Sequence, residues 1–210
     1  MRWKKGLSML GFSGYNKENS LIHREEKIMK RTAILFAEGY EEVEALTVVD
    51  LLRRAKIGCD IVAVKESGEV TGSHGIRVGA DKTLSQLVME EYDGLILPGG
   101  LRGVNNLAAD ERVIDMLRRF AAAGKLTAAI CAGPTVLAKA GLLEGRKACC
   151  YPGMEDQLTG AVACTESVVA DGSIITSRGL GTAIPFALAL VTYFQGEAQA
   201  LALAKAIVFQ

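Results

Sequence analysis

The sequence has little histidine and no excess charge of either sign. Only His23 and His74 occur among its 210 residues, and 24 basic residues balance 24 acidic ones. A chain without net charge offers no electrostatic attraction for nucleic-acid phosphates or for an anionic membrane surface. The shortage of imidazole also leaves few groups for a metal site or for a cysteine–histidine pair. We therefore expect no metal, no nucleic-acid partner and no membrane signal.

Cysteine is present but lacks the patterns of a disulfide framework or a zinc site. The five cysteines are odd in number, have no C-x-x-C spacing and stand far from histidine in the chain: Cys59, Cys131, Cys149, Cys150 and Cys164. A reducing cytoplasm suits such free thiols best. Cys149, Cys150 and Cys164 are interpreted as packing residues.

Residues 1–29 differ in composition from the rest of the chain. They contain no apolar run of signal-peptide length, because Ser8 and Gly11 interrupt the one candidate. We expect a disordered extension, or a mis-assigned start in which Met29 begins the natural protein. Half of the residues in the chain are hydrophobic, which is enough for one core, so residues 30–210 are predicted to form a single domain.

From Arg31 onward, short apolar runs alternate with helical patterns. The predicted strands are 32–37, 60–65, 92–97, 125–130, 162–170 and 173–177, and a turn-and-strand excursion is predicted at 72–80. The predicted helices are 41–56, closed by Gly58, and 111–123, 133–143, 183–194 and 197–208. This alternation predicts an α/β fold with a mostly parallel sheet covered by helices on both faces. Ligands bind such sheets at the carboxyl ends of the strands.

Cys131 stands between a predicted strand and a predicted helix, among small residues. A sharp turn there presents a side chain beyond the end of the sheet, as a nucleophile elbow does. The free amides at the start of the helix favour a thiolate over a thiol. The alternative is a small buried cysteine, but burial alone does not require this strand–turn–helix arrangement.

Three glutamates begin the first predicted helix. At 100° per residue, Glu41 and Glu44 fall within the apolar arc, whereas Glu42 falls outside it and is expected on a solvated surface. A carboxyl group that faces the interior tends to keep its proton. Glu44 is therefore predicted to donate a hydrogen bond to the sulfur of Cys131 or to move a proton during catalysis.

Backbone amides provide a candidate anion site. Gly99 and Gly100 follow a predicted strand at the same sheet edge as Cys131, and their lack of side chains permits close approach of a carbonyl. Together with the amide of Ala132 they are candidates for an oxyanion hole. His74 lies in the excursion after the second strand, and we assign it a minor role at most.

Four segments carry a resemblance to a known family. The chain reads EGYEEVE at 38–44, LPGG at 97–100, AICAGP at 129–134 and TSRGLGT at 176–182. In order and spacing, these segments resemble the DJ-1 branch of the ThiJ/PfpI superfamily, from about residue 30 to the C-terminus. The resemblance implies a flavodoxin-like three-layer sandwich, a homodimer and an oxidation-sensitive elbow cysteine.

The resemblance also implies residue roles. Cys131 matches the reactive cysteine and Glu44 the protonated glutamate that contacts it. Gly99-Gly100 matches the glycine loop of the pocket, and Glu41 matches another pocket carboxylate. Arg54 matches an arginine near the dimer interface, where it is a candidate anion contact.

Two positions depart from the pattern of particular family members. Members proposed as proteases carry histidine directly after the cysteine, where this chain has Ala132. Members assigned glyoxalase or deglycase activity often carry a pocket histidine where this chain has Tyr151.

The resemblance implies a cofactor-free glyoxalase III or deglycase that acts on methylglyoxal-like dicarbonyls or their early adducts. The alternative is a redox-sensing stress protein or chaperone regulated by oxidation of Cys131. A glutaminase of the amidotransferase type would need a histidine downstream of the cysteine, and none follows His74.

Overall fold

The computed structural model describes residues 29–209. The expectations for an extension or an alternative start concern residues that lie almost entirely outside this range. The helices of the described residues are α1 Glu42–Arg54, α2 Leu101–Ala109, α3 Glu111–Ala122, α4 Pro134–Lys139, α5 Ala183–Gln195 and α6 Glu197–Ala206. The strands are β1 Arg31–Phe36, β2 Gly58–Ala63, β3 Glu69–Thr71, β4 Arg77–Gly79, β5 Lys82–Thr83, β6 Gly94–Leu97, β7 Leu126–Ile130, β8 Lys147–Ala148, β9 Val162–Ala163, β10 Val168–Asp171 and β11 Ile174–Ser177.

Seven of these strands form the central sheet, in the order β10-β11-β7-β6-β1-β2-β5. Every neighbouring pair is parallel except β10 and β11, which form an antiparallel hairpin at one edge. The predicted mostly parallel α/β sheet is confirmed. The carboxyl ends of β1, β6 and β7 are adjacent, so the loops that follow these strands meet at one edge.

Two hydrophobic layers separate the sheet from its helices. Along β1, Ala33 and Leu35 pack with residues of α2, α3 and α4, whereas Ile34 and Phe36 pack with residues of α1, α5 and α6. Alternate residues of a strand face opposite sides of the sheet, so a run that is apolar throughout is buried on both faces. The result is the predicted three-layer sandwich.

Several predicted boundaries were wrong. The first helix ends at Arg54 and Lys56 adopts the left-handed conformation with φ 61°, so Gly58 begins β2 instead of closing the helix. The helix predicted at 133–143 stops at Lys139, ahead of Gly141 with its φ of 78°. The predicted strand 162–170 divides into β9, which pairs with β8, and β10, which pairs with β11.

The excursion at 72–80 belongs to a hairpin of β3 and β4. Helix α2 was not predicted. Among the described residues, no helix is long and apolar enough to cross a membrane.

Candidate active site

Cys131 lies at the turn between β7 and α4, with a backbone φ of 64°. This left-handed conformation is costly for a residue with a side chain, so the surroundings must hold it in place. The amide of Cys131 donates to the carbonyl of Ser177 at 3.0 Å, and the amide of Tyr151 donates to the carbonyl of Cys131 at 2.8 Å. The predicted elbow is therefore present, and it keeps the side chain of Cys131 partly exposed.

The first turn of α1 brings Glu44 to this cysteine. The Glu44 side chain is 1% exposed and lies beside the Cys131 thiol, since a Cβ atom at position 99 would come within 3.0 Å of both Oε2 of Glu44 and Sγ of Cys131. Its Oε2 atom also accepts a hydrogen bond from the amide of Gly99 at 3.0 Å. Glu44, Gly99 and Cys131 follow β1, β6 and β7, respectively, so the parallel sheet brings the three together.

Burial controls the protonation of this pair. Burial raises the pKa of Glu44 to about 7, although its hydrogen bonds with Cys131 and Gly99 oppose the shift. Burial, followed by the negative charge of Glu44, raises the pKa of Cys131 to about 12. The amides of Ala132 and Gly100 lower the Cys131 pKa but do not outweigh these causes. The expectation of a resting thiolate was therefore wrong: while Glu44 is ionised, Cys131 remains a thiol.

Glycine is required beside the sulfur. A Cβ atom at position 99 would lie 2.5 Å from the Cβ of Cys131 and would also overlap Oε2 of Glu44. Gly100 has a φ of 86°, and a Cβ there would lie 2.6 Å from the amide nitrogen of Glu41. The two glycines thus allow β6 to end directly against the α1 loop and the elbow.

A pocket of about 430 Å³ opens beside Cys131. Its lining contains every residue predicted for the pocket except Gly99: Glu41, Glu44, Gly100, Cys131, Ala132 and Tyr151. The sequence did not identify the other lining residues, namely Leu101, Pro152, Met154 and Leu180. Leu180 lies in the TSRGLGT segment that carries part of the family resemblance, but the resemblance gives this residue no role, and Met154 has no sequence signal. No lysine, arginine or histidine lines this pocket among the described residues.

Arg54 lies elsewhere in the structure. Its Nε atom donates to Asp50 at 2.7 Å, and it lines a separate surface pocket with Ile184 and Ile207. Its assignment as an anion or dimer contact stays a prediction.

The expectation of a solvated Glu42 was wrong. Its side chain is 3% exposed, because the turn between β3 and β4 folds over it. The Oε1 atom accepts from the amide of His74 at 2.7 Å, and Oε2 accepts from the hydroxyl of Ser73 at 3.0 Å. Burial raises the pKa of Glu42, but these hydrogen bonds outweigh it and lower the pKa to about 2.

His74 contacts Glu42 and is absent from the lining of the Cys131 pocket. Glu41, Glu42 and His74 place possible metal-ligand atoms within 4.8 Å of one another. The hydrogen bonds among these side chains and Ser73 already account for their arrangement.

Comparison with known proteins identifies the family of the chain. Residues 30–193 match the model of the DJ-1/PfpI family. Protein DJ-1 homolog A of Arabidopsis thaliana is 43% identical over 171 residues, which are 81% of this chain and 44% of that protein. The chain thus spans less than half the length of this relative.

Two further relatives match over most of their own length. A protein named as a deglycase in Pyrococcus horikoshii is 35% identical over 151 residues, which are 70% of this chain and 89% of that protein. The crystal structure of Drosophila melanogaster DJ-1beta superposes with a TM-score of 0.84 at 36% identity, covering 87% of this chain and 99% of that one. On the strength of the family model and these relatives, the chain belongs to the DJ-1/PfpI family.

Proposed function

We propose that the chain converts methylglyoxal-like dicarbonyls to 2-hydroxy acids without a cofactor, as a glyoxalase III-type enzyme, and acts on early dicarbonyl adducts as a deglycase. The observation that supports this proposal most directly is the contact between Glu44 and Cys131 inside the pocket. A nucleophile and a buried proton acceptor within hydrogen-bond reach are what addition to an aldehyde requires.

The reaction begins with the thiol of Cys131 and the carboxylate of Glu44. As the sulfur adds to the aldehyde carbon, the thiol proton passes to Glu44 and the carbonyl oxygen becomes an alkoxide. The amides of Ala132 and Gly100, which face the sulfur, stabilise this charge. Protonation of the alkoxide by Glu44 yields a hemithioacetal and restores the carboxylate.

Glu44 then moves a proton between adjacent carbons. It removes the hydrogen of the hemithioacetal carbon to form an enediolate. After the hydroxyl proton of that carbon passes to the neighbouring oxygen, Glu44 returns its proton to the neighbouring carbon, which gives a thioester. Hydrolysis of the thioester releases the 2-hydroxy acid and regenerates the thiol, so methylglyoxal plus water gives lactate. A pKa near 7 suits Glu44 to both halves of this transfer.

The same steps proceed without a pocket histidine. Tyr151 lines the pocket at the position where the resemblance places one, and its side chain is half exposed. The proposal therefore assigns all carbon proton transfer to Glu44. The name of the Pyrococcus relative supports adduct removal as the related activity of this site.

Replacement of Glu44 by glutamine tests the proposal. Glu44→Gln should still form a reversible methylglyoxal adduct at Cys131, visible by native mass spectrometry, while lactate formation falls by about a hundredfold or more. Lactate formation at the unaltered rate would overturn the assignment of Glu44.

A second candidate function is an oxidation-sensing stress protein or chaperone. It is favoured by the partial exposure of Cys131 and by the amides of Ala132 and Gly100 that face its sulfur, where a sulfinate oxygen would bind. Peroxide titration followed by peptide mass spectrometry tests this function: it requires selective sulfinic acid formation at Cys131. Equal sulfinic acid formation at Cys131 and Cys164 would argue against it.

A further inference from the structure

Two cysteines outside the pocket directly follow the neighbouring strands β8 and β9. The parallel pair β8–β9 has the register Lys147↔Val162 and Ala148↔Ala163. The amide of Cys164 donates to the carbonyl of Ala148 at 2.8 Å, which continues the ladder beyond its last pair. Cys149 and Cys164 are therefore the next opposed residues.

This register places the Cα atoms of Cys149 and Cys164 at a spacing that a disulfide can span. The Cys164 thiol donates to the carbonyl of Val162 at 3.4 Å and must turn toward Cys149 for the bond to form. Opposed residues on neighbouring strands lie about 4.8 Å apart and present their side chains on the same face. Disulfides form when the two Cα atoms are about 4.4 to 6.8 Å apart.

Cys150 faces away from this pair. Ala148 and Cys150 pack into the same hydrophobic cluster, as residues two apart on an extended segment do. Cys149 points to the opposite face, where its sulfur lies 3.7 Å from the hydroxyl of Thr176. Cys150, which is adjacent to Cys149 but faces away from Cys164, is therefore a suitable control for the pairing.

The exposure of the two thiols is unequal. Cys149 is buried, whereas Cys164 is partly exposed. A small oxidant therefore reaches Cys164 first, and Cys149, at the opposed position, is the candidate resolving thiol.

We propose that Cys149 and Cys164 form a reversible disulfide under hydrogen peroxide. The Cys164 thiolate attacks the peroxide and becomes a sulfenic acid, releasing hydroxide. The Cys149 thiol then attacks the sulfenic sulfur and releases water, so two thiols and one peroxide give one disulfide and two waters. Dithiothreitol reverses the step by thiol–disulfide exchange.

The local geometry makes this bond a labile one. A disulfide brings its Cβ atoms to about 3.8 Å, closer than the spacing of regular strands, so the bond carries strain and is easily reduced. Cys149 lies two residues before Tyr151, whose amide donates to the carbonyl of Cys131. The bond would therefore join the wall of the pocket to β9.

Mass spectrometry of a Cys131→Ala protein tests this proposal, because that background removes oxidation at the elbow and is independent of the proposed catalysis. No lysine or arginine lies between Ala148 and Arg178, so one tryptic peptide carries all three cysteines. Oxidation should lower its mass by two hydrogens. Further digestion with a protease that cleaves after glutamate should cut this peptide at Glu155 and Glu166. Residues 148–155 should then remain joined to residues 156–166 by the disulfide, and dithiothreitol should separate the two fragments.

Serine variants identify the partners. The link should persist in Cys150→Ser and disappear in Cys149→Ser and Cys164→Ser, each compared after its fold is verified by circular dichroism. A link that depends on Cys150, or sulfinic acid at Cys164 without any link across the peroxide range, would overturn the proposal.

Discussion

The carboxyl group of Glu44 lies beside the thiol of Cys131 and raises the pKa of that thiol, whereas the hydrogen bond with the thiol lowers the pKa of Glu44. Burial sets the pKa of Glu44 near 7, and burial together with the Glu44 charge raises the pKa of Cys131 to about 12. The thiol of Cys131 therefore keeps its proton when Glu44 ionises. The proposed catalysis and the pH dependence of stability both depend on this pair.

Replacing Glu44 with glutamine should stabilise the protein at alkaline pH. Below pH 4.5 the carboxyl is neutral in both folded and unfolded chains, but between 4.5 and 7 only the unfolded chain ionises, so wild-type stability falls. The shift corresponds to about 3 kcal/mol of unfolding free energy above pH 7.

Urea unfolding of both proteins at pH 4.5 and pH 8 measures this difference. The raised pKa of His74 affects both proteins alike and cancels in the comparison. An advantage of Glu44→Gln that is equal at the two pH values would contradict the buried-carboxyl assignment.

Glu42 should show the opposite pH dependence. Glu42→Gln removes a charge that accepts from Ser73 and His74, at a cost of about 1–3 kcal/mol in unfolding free energy at pH 7. Because hydrogen bonds lower the folded pKa to about 2, this stabilisation is present above the unfolded value of 4.5 and is lost as the pH falls toward 2. Denaturation at pH 7 and pH 3 should show the cost shrinking. A cost that does not change with pH would argue against an ionised Glu42.

The substitution Gly99→Ala tests the close approach of β6 to the elbow. The added methyl group would overlap Cys131 and Glu44, so we expect a loss of about 1–3 kcal/mol in stability, together with loss of activity. Gly68→Ala is the matched control, because a Cβ there meets nothing within 4 Å. Thermal unfolding and lactate assays of both variants measure the effect. If the two variants had the same thermal stability and the same lactate formation, a methyl group at position 99 would not clash with Cys131 and Glu44.

Two exposed leucines on the lining of the pocket should favour apolar substrates. Leu101 is 63% exposed and Leu180 is 53% exposed, and both line the pocket. Leu101→Ser and Leu180→Ser should each raise the KM for phenylglyoxal about fivefold while leaving the kcat for methylglyoxal near its original value. Leu201→Ser on α6 is the control, since Leu201 is equally exposed and absent from this lining. An unchanged KM for phenylglyoxal in both pocket variants would show that neither leucine contributes to binding of an apolar substrate.

The sequence predicted the features that depend on short-range patterns. Buried apolar runs identified the parallel strands, and the helix predicted at 111–123 is present as α3, where the side chain of Asp110 caps it by accepting from the amide of Arg112. The elbow at Cys131 and the inward-facing Glu44 also follow from local periodicity. These features need no knowledge of distant residues.

The features that the sequence missed depend on distant parts of the chain. Helix α2 contains Gly103 and two asparagines, which are poor helix formers, and it is stabilised by packing against the α1 loop and α4. Glu42 is buried by the hairpin turn some thirty residues later in the chain. The net pKa of Cys131 likewise depends on burial by several loops, which the helix-start argument did not include.

The central claim is that Cys131 turns over a dicarbonyl with catalytic help from Glu44. Purified protein and its Cys131→Ala variant should be incubated with excess methylglyoxal while lactate is measured, since loss of methylglyoxal alone also reports adducts on lysine and arginine. The account predicts many lactate molecules per wild-type chain and none above background from the variant. Equal lactate from the two proteins, or none from either, would contradict it.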